Sequence, residues 1–186
     1  VGITYPALGP ALAQSFTEIE DASRLSFGGQ TLLQYQDNPA IYAEQMRNAD
    51  PNFFEFFDYE LVRGDASTAL AQPFSIVLTE SLSKQLFQNE DPIGQSLRDG
   101  SGTDLTVTGV LKDLPDNTHL EFDALGSLET IASQARASQP PESQNPIWLE
   151  SFRMVAMPTY ARFAPGTPMD DFDARITEMT RDNGVA

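Results

Sequence analysis

Four of the five residues from Phe53 to Phe57 are phenylalanine. A helix with aromatics at those positions has no face left for solvent, so it must be packed on most sides. Asp50-Pro51 just before it reads as a helix start, with Asp as N-cap and Pro in the first turn. The structural reading of the cluster is a core helix. The functional reading is a surface at which some rings anchor a partner, as aromatics do at interfaces.

A chain that must bury such a helix needs a real core, and 186 residues are enough for one. Hydrophobic residues make up 40% of it, which excludes a disordered, low-complexity chain. With 11 basic and 27 acidic residues the net charge is −16, which disfavours nucleic acid and anionic lipid as partners. Cysteine is absent, so disulfides, thiolate metal sites and thiol catalysis are excluded together. No apolar run approaches the roughly 20 residues of a membrane span. Val1–Thr4 is too short to be a signal peptide. Both ends read as cut edges, the pattern expected of a piece of a longer protein.

Helical spacing of Leu8, Leu12 and Phe16 predicts a helix over about Ala7–Phe16. Ala22–Phe27 and Thr31–Gln36 read as a hairpin about Gly28-Gly29, with Ile41–Asn48 as a third strand. Tyr59–Val62 and Phe74–Leu78 are short strands, and Thr79 caps a helix over Glu80–Phe87. Gln95–Arg98 and Leu105–Lys112 form a hairpin around the loop Asp99–Asp104, and Leu120–Leu128 begins extended. Residues Ala132–Pro146, rich in Ser, Gln, Ala and Pro, read as a mobile, disordered loop. Phe152–Phe163 is a long strand with Pro158 at an edge or bulge. Thr167-Pro168 starts a last helix whose apolar stripe is Met169, Phe172, Ile176 and Met179. Helices and strands mix without a steady βαβ beat, which gives an α+β fold.

Chemistry-bearing patterns are sparse. His119 is the only histidine; no nucleophile elbow accompanies it, and it reads as a capping or hydrogen-bonding residue. Paired acids are available in Glu18, Glu20 and Asp21, in Asp113 with Asp116, and in Asp170, Asp171 and Asp173. They read as a solvated loop, a turn cap and a helix N-terminus. Asp99–Asp104 has a faint calcium-loop look, but it lacks the EF-hand ligand order and closing Glu, and a hairpin tip explains it better. Neither a Walker loop nor GxGxxG is present. The residues by themselves therefore assign no catalytic, cofactor-binding or metal position, and no cofactor.

An ordered series of segments goes further. It comprises Asn48–Phe57, Leu61-Val-Arg-Gly64, Ser75–Ser81 with Lys84 and Leu86-Phe87, Glu90-Asp-Pro-Ile-Gly94, Thr106–Pro115, and His119-Leu-Glu-Phe-Asp123. Together they resemble the periplasmic core domain of MacB-like and FtsX-like ABC transporter permeases. The strong matches cover about Asp50–Asp123, with Trp148 and Thr159-Tyr160 continuing more weakly.

The resemblance implies a porter-like α/β subdomain over 1–48 and 116–186, with an inserted, β-richer sabre-like subdomain over 49–115. It implies an ectodomain between the first and second transmembrane helices, on the periplasmic face of the bacterial inner membrane. It would couple cytoplasmic ATP hydrolysis to periplasmic work (export of an antimicrobial compound or peptide, or lipoprotein handling) and catalyse nothing itself. Implied partners are the transmembrane helices of the same permease, a cytoplasmic ABC ATPase, a second permease copy, and a periplasmic adaptor or lipoprotein. The competing readings are a free-standing periplasmic module that binds a ligand between two lobes, and a hydrolase with two buried carboxylates about 5–9 Å apart.

Overall fold

The computed structural model describes residues 2–115, 117–140, 143, 147–153 and 157–182. In chain order, β1 (Gly2–Thr4) leads to α1 (Leu8–Ser15) and β2 (Ile19–Arg24). Then come β3 (Gly29–Tyr35), β4 (Ile41–Ala49), α2 (Phe53–Phe57) and β5 (Leu61–Gly64). β6 (Ser75–Thr79) runs straight into α3 (Glu80–Phe87), and β7 (Ser96–Asp99) turns into β8 (Asp104–Leu111). β9 (Ala124–Ser127), α4 (Leu128–Ala137), a 3-10 turn (Trp148–Glu150), β10 (Met157–Phe163) and α5 (Phe172–Asp182) complete the described elements. The fold is α+β, and the chain divides into two compact units.

The unit of Val1–Arg24 with Gln134–Ala186 is built on a three-stranded antiparallel sheet in the order β1-β10-β2. Pro158 pairs with Ile3 of β1, one residue before β2 joins at Thr159, so it sits where β10 has a neighbour on one side only. α1 packs on β2 and β10. Leu8, Leu12, Phe16, Ile19 and Phe172 form the core, and the rings of Phe16 and Phe163 lie 5.3 and 4.8 Å from that of Phe172.

In the unit Leu25–Ser133 a seven-stranded sheet closes on itself. β8 pairs along one side with β6 and along the other with β7 and then β5. Because β7 also pairs with β3, the ring β8-β6-β9-β4-β3-β7 is a closed barrel, with β5 added beside β8. Its interior is filled by Leu33, Tyr35, Ile76, Leu78, Leu97 and their neighbours. Leu82, Leu86 and Phe87 of α3 join the same cluster, and α3 touches β3, β4, β6 and β8. Since these strands come from opposite sides of the ring, the helix closes one end.

Several expectations need correction. β2 and β3 do not form a hairpin: β2 pairs with β10, and β3 with β4 and β7. The Ser26 amide instead donates to Asn48 O at 2.7 Å, tying this stretch to the end of β4. α2 starts at Phe53, two residues later than the Asp50-Pro51 signal implies, because the Phe53 amide closes a turn onto Asp50 O. α5 starts at Phe172, not near Thr167, whose hydroxyl reaches back to Ala164 O rather than forward over the helix. Met169 is consequently exposed, and only Phe172, Ile176 and Met179 of the expected stripe join the core. The stretch read as a disordered loop is helical through Ala137, in α4. Of its remainder, 141–142 and 144–146 lie outside the described residues, as do 154–156 of the expected long strand and Asp116.

Candidate functional site

A groove of about 670 Å³ opens in the unit Leu25–Ser133. Three stretches line it: Tyr42 and Glu44 of β4, the first turns of α3, and residues 113–115, 118 and 120–123.

The first turn of α3 holds the groove's shape. A helix leaves its first amides unpaired, and here they find two partners. Thr79, the N-cap, accepts from Leu82 N through Oγ1 at 3.4 Å. Ser81 N donates to Asp113 Oδ1 at 3.0 Å, and the Ser81 hydroxyl donates to Oδ2 at 2.6 Å. A carboxylate at a helix N-terminus is also favoured by the helix dipole. Residues 113–115 are thereby fastened beside α3.

Asp123 fastens the other end. Its Oδ2 accepts from Gln45 N at 3.0 Å, its amide donates to Gln45 O, and its carbonyl accepts from Thr79 N. Between the two anchors, Thr118 N donates to Pro115 O and Thr118 Oγ1 accepts from Leu120 N. Behind the wall, the buried Phe122 ring meets Phe53 at 5.8 Å and Tyr59 at 6.4 Å.

That contact defines the role of the phenylalanine cluster. Phe53 and Phe54 are buried, with Phe53 at the centre of contacts to Phe54, Phe57, Tyr59 and Phe122. Phe56 and Phe57 are half-buried beside them. The cluster is a core helix that backs the groove.

The acid groups singled out in the sequence separate cleanly. Glu18 is ion-paired with Arg175, whose hydrogen bond holds its carboxyl below the usual value. Asp170, Asp171 and Asp173 are exposed around the start of α5. Asp99 Oδ1 accepts from Ser101 N, Ser101 Oγ and Thr103 N, closing the tip of the β7–β8 hairpin, while Asp104 pairs with Arg98 at 3.0 Å. No group of three metal-ligating side chains gathers among the described residues. His119 is exposed, and Ser81 Oγ donates directly to Asp113 with no imidazole between them. That geometry is a helix cap; it does not activate a nucleophile.

Sequence reasoning named Asp113 as a turn cap but missed the groove itself. Its lining comes from positions 42 to 123 and converges only once the barrel closes.

Residues 2–179 match the family described as the MacB-like periplasmic core domain. The chain belongs to that family. Solved structures agree on the fold. A domain of a protein assigned as a permease from Porphyromonas gingivalis shares 24% identity at a TM-score of 0.79, over 98% of this chain and 79% of that one. The periplasmic region of MacB from Actinobacillus actinomycetemcomitans shares 14% at 0.67, over 98% and 75%. The extracellular domain of the noncanonic ABC-type transporter YknZ from Gram-positive bacteria shares 11% at 0.62, over 95% and 81%. No curated protein sequence matches. As a MacB-like periplasmic core domain, the chain is the extracytoplasmic part of an ABC transporter permease. Among the described residues, no helix is long and apolar enough to cross a membrane.

Proposed function

We propose that this domain couples ATP hydrolysis on the cytoplasmic side to mechanical work in the periplasm and has no catalytic step of its own. The observation that carries the reading is the family match, which runs almost the whole length of the chain. The domain would sit between the first and second transmembrane helices of its permease, at the periplasmic face of the inner membrane. Those helices would link it to a cytoplasmic ABC ATPase, with a second permease copy alongside. The work done would be export of an antimicrobial compound or peptide, or lipoprotein handling with a periplasmic adaptor or lipoprotein as partner.

The closed barrel, with α3 packed into one end, supports a mechanical role, because a close-packed body transmits displacement with little internal loss. The reading frame on either side of Val1 and Ala186 tests the placement. One apolar span of about 20 residues upstream and three downstream are expected. A frame without such spans would remove the coupling role.

A further inference from the structure

We propose that the groove at the closed end of the barrel is a docking site for an extended, basic segment of a protein partner. The inference rests on the extracytoplasmic reading above and adds the chemistry of what binds.

Charge is the first argument. The unit Leu25–Ser133 holds seventeen acidic and five basic residues, so −12 of the net −16 lies on it. Within the groove, Glu44, Asp113, Glu121 and Asp123 contribute four carboxylates, and no Lys or Arg lines it. None of the four is in an ion pair among the described residues. Asp113 and Asp123 are held by hydrogen bonds, Glu44 accepts from Gln30 Nε2 at 2.7 Å, and Arg47 Nε donates to Glu121 O at 2.9 Å. All four carboxylates nevertheless keep their negative charge, and negative charge gathered in a concavity attracts and steers a cationic partner.

Shape is the second. Leu82, Leu120 and Phe122 also line the groove but are buried, so Tyr42, 55% exposed, is the aromatic side chain it presents. Tyr42 and Glu44 stand two residues apart on β4, an aromatic beside a carboxylate, which fits a segment that alternates apolar and basic side chains with the two-residue period of an extended chain. An aromatic such as Tyr42 is a common anchor for such a segment. The volume falls within the roughly 300–1,000 Å³ of specific binding clefts.

The test uses this chain and a synthetic peptide of alternating lysine and valine, followed by amide chemical shifts at low salt. Shifts should concentrate on Tyr42, Glu44 and residues 117–123, and weaken as salt is added. The double variant Glu44→Gln/Glu121→Gln should lower affinity about tenfold, as the loss of two partly screened charge pairs. Asp113 and Asp123 are left in place because they hold the backbone. The control Asp170→Asn/Asp171→Asn removes the same charge from the other unit and should change affinity less than about twofold. Equal loss in both variants, shifts spread over the acidic surface, or no binding would each overturn the docking site. Such a failure leaves the permease reading standing, because that reading rests on membrane topology and no membrane enters this experiment.

Discussion

Asp113 and Ser81 lie 32 positions apart, yet one carboxylate accepts both the amide and the hydroxyl of that serine, at 3.0 and 2.6 Å. The pair joins the exit of β8 to the entrance of α3, and so fixes one wall of the groove. Asp113→Ala should cost about 1–2 kcal/mol, the usual loss for a helix-capping side chain. Asp113→Asn keeps one acceptor and should recover part of it. Urea unfolding of the three proteins checks this, and a midpoint unchanged in the alanine variant would show that the pair carries no weight.

Gly64 ends β5 at φ +92°, and a Cβ there would stand 2.3 Å from Thr108 O. Backbone cannot yield as a side-chain tip can. Gly64→Ala should therefore destabilise by roughly 2–4 kcal/mol, combining an unfavourable φ with a steric clash. The drop should appear as a lower urea midpoint with the transition otherwise preserved. Wild-type stability would mean that β5 does not lie this close to β8.

Phe53 touches four other rings and is fully buried, while Phe56 on the same helix is half-buried. Phe53→Leu should cost more than Phe56→Leu, and Phe53→Ala should reach about 3–5 kcal/mol. If Phe53 faced a partner, its loss would leave the isolated domain unchanged. Thermal unfolding of the variants decides between these.

The Glu18 carboxyl is held below its ordinary value of 4.5, first by its hydrogen bond from Arg175. A group whose pKa is depressed in the folded state favours folding when ionised. Its contribution is complete above 4.5 and is lost as pH falls through the lowered folded value. Glu18→Gln should therefore reduce stability at pH 7 and flatten the fall in stability over the acid range. Asp65, lowered by its Ser67 hydrogen bonds, and Asp104, lowered by Arg98, act in the same direction. Their acid limb should persist in the Glu18 variant.

What was legible in the sequence follows from range. The hairpin β7–β8, the Thr79 cap and the strand β4 are set by neighbours a few positions away, and spacing alone found them. The pairing of β2 with β10 spans more than a hundred residues, and no local pattern around Gly28-Gly29 could reveal it. Barrel closure is hidden for the same reason. Its seam is one strand, β8, whose two-residue period says that one face is buried but not that both β6 and β7 flank it. The start of α5 was misplaced because a threonine can bond backwards as readily as it can cap forwards. The groove inherits the difficulty of the barrel, since β4, α3 and residues 113–115, 118 and 120–123 meet only through long-range contacts.

The central claim, that this domain is displayed outside the cytoplasm by a membrane permease, can be measured by cysteine labelling. The chain has no cysteine of its own. Ala137→Cys, at the exposed end of α4, introduces one in the full-length protein. Labelling of intact cells with a membrane-impermeant maleimide, after opening of the outer membrane alone, should tag this variant and leave the unsubstituted protein at background. Tagging only after the inner membrane is broken would place the domain in the cytoplasm and contradict the account.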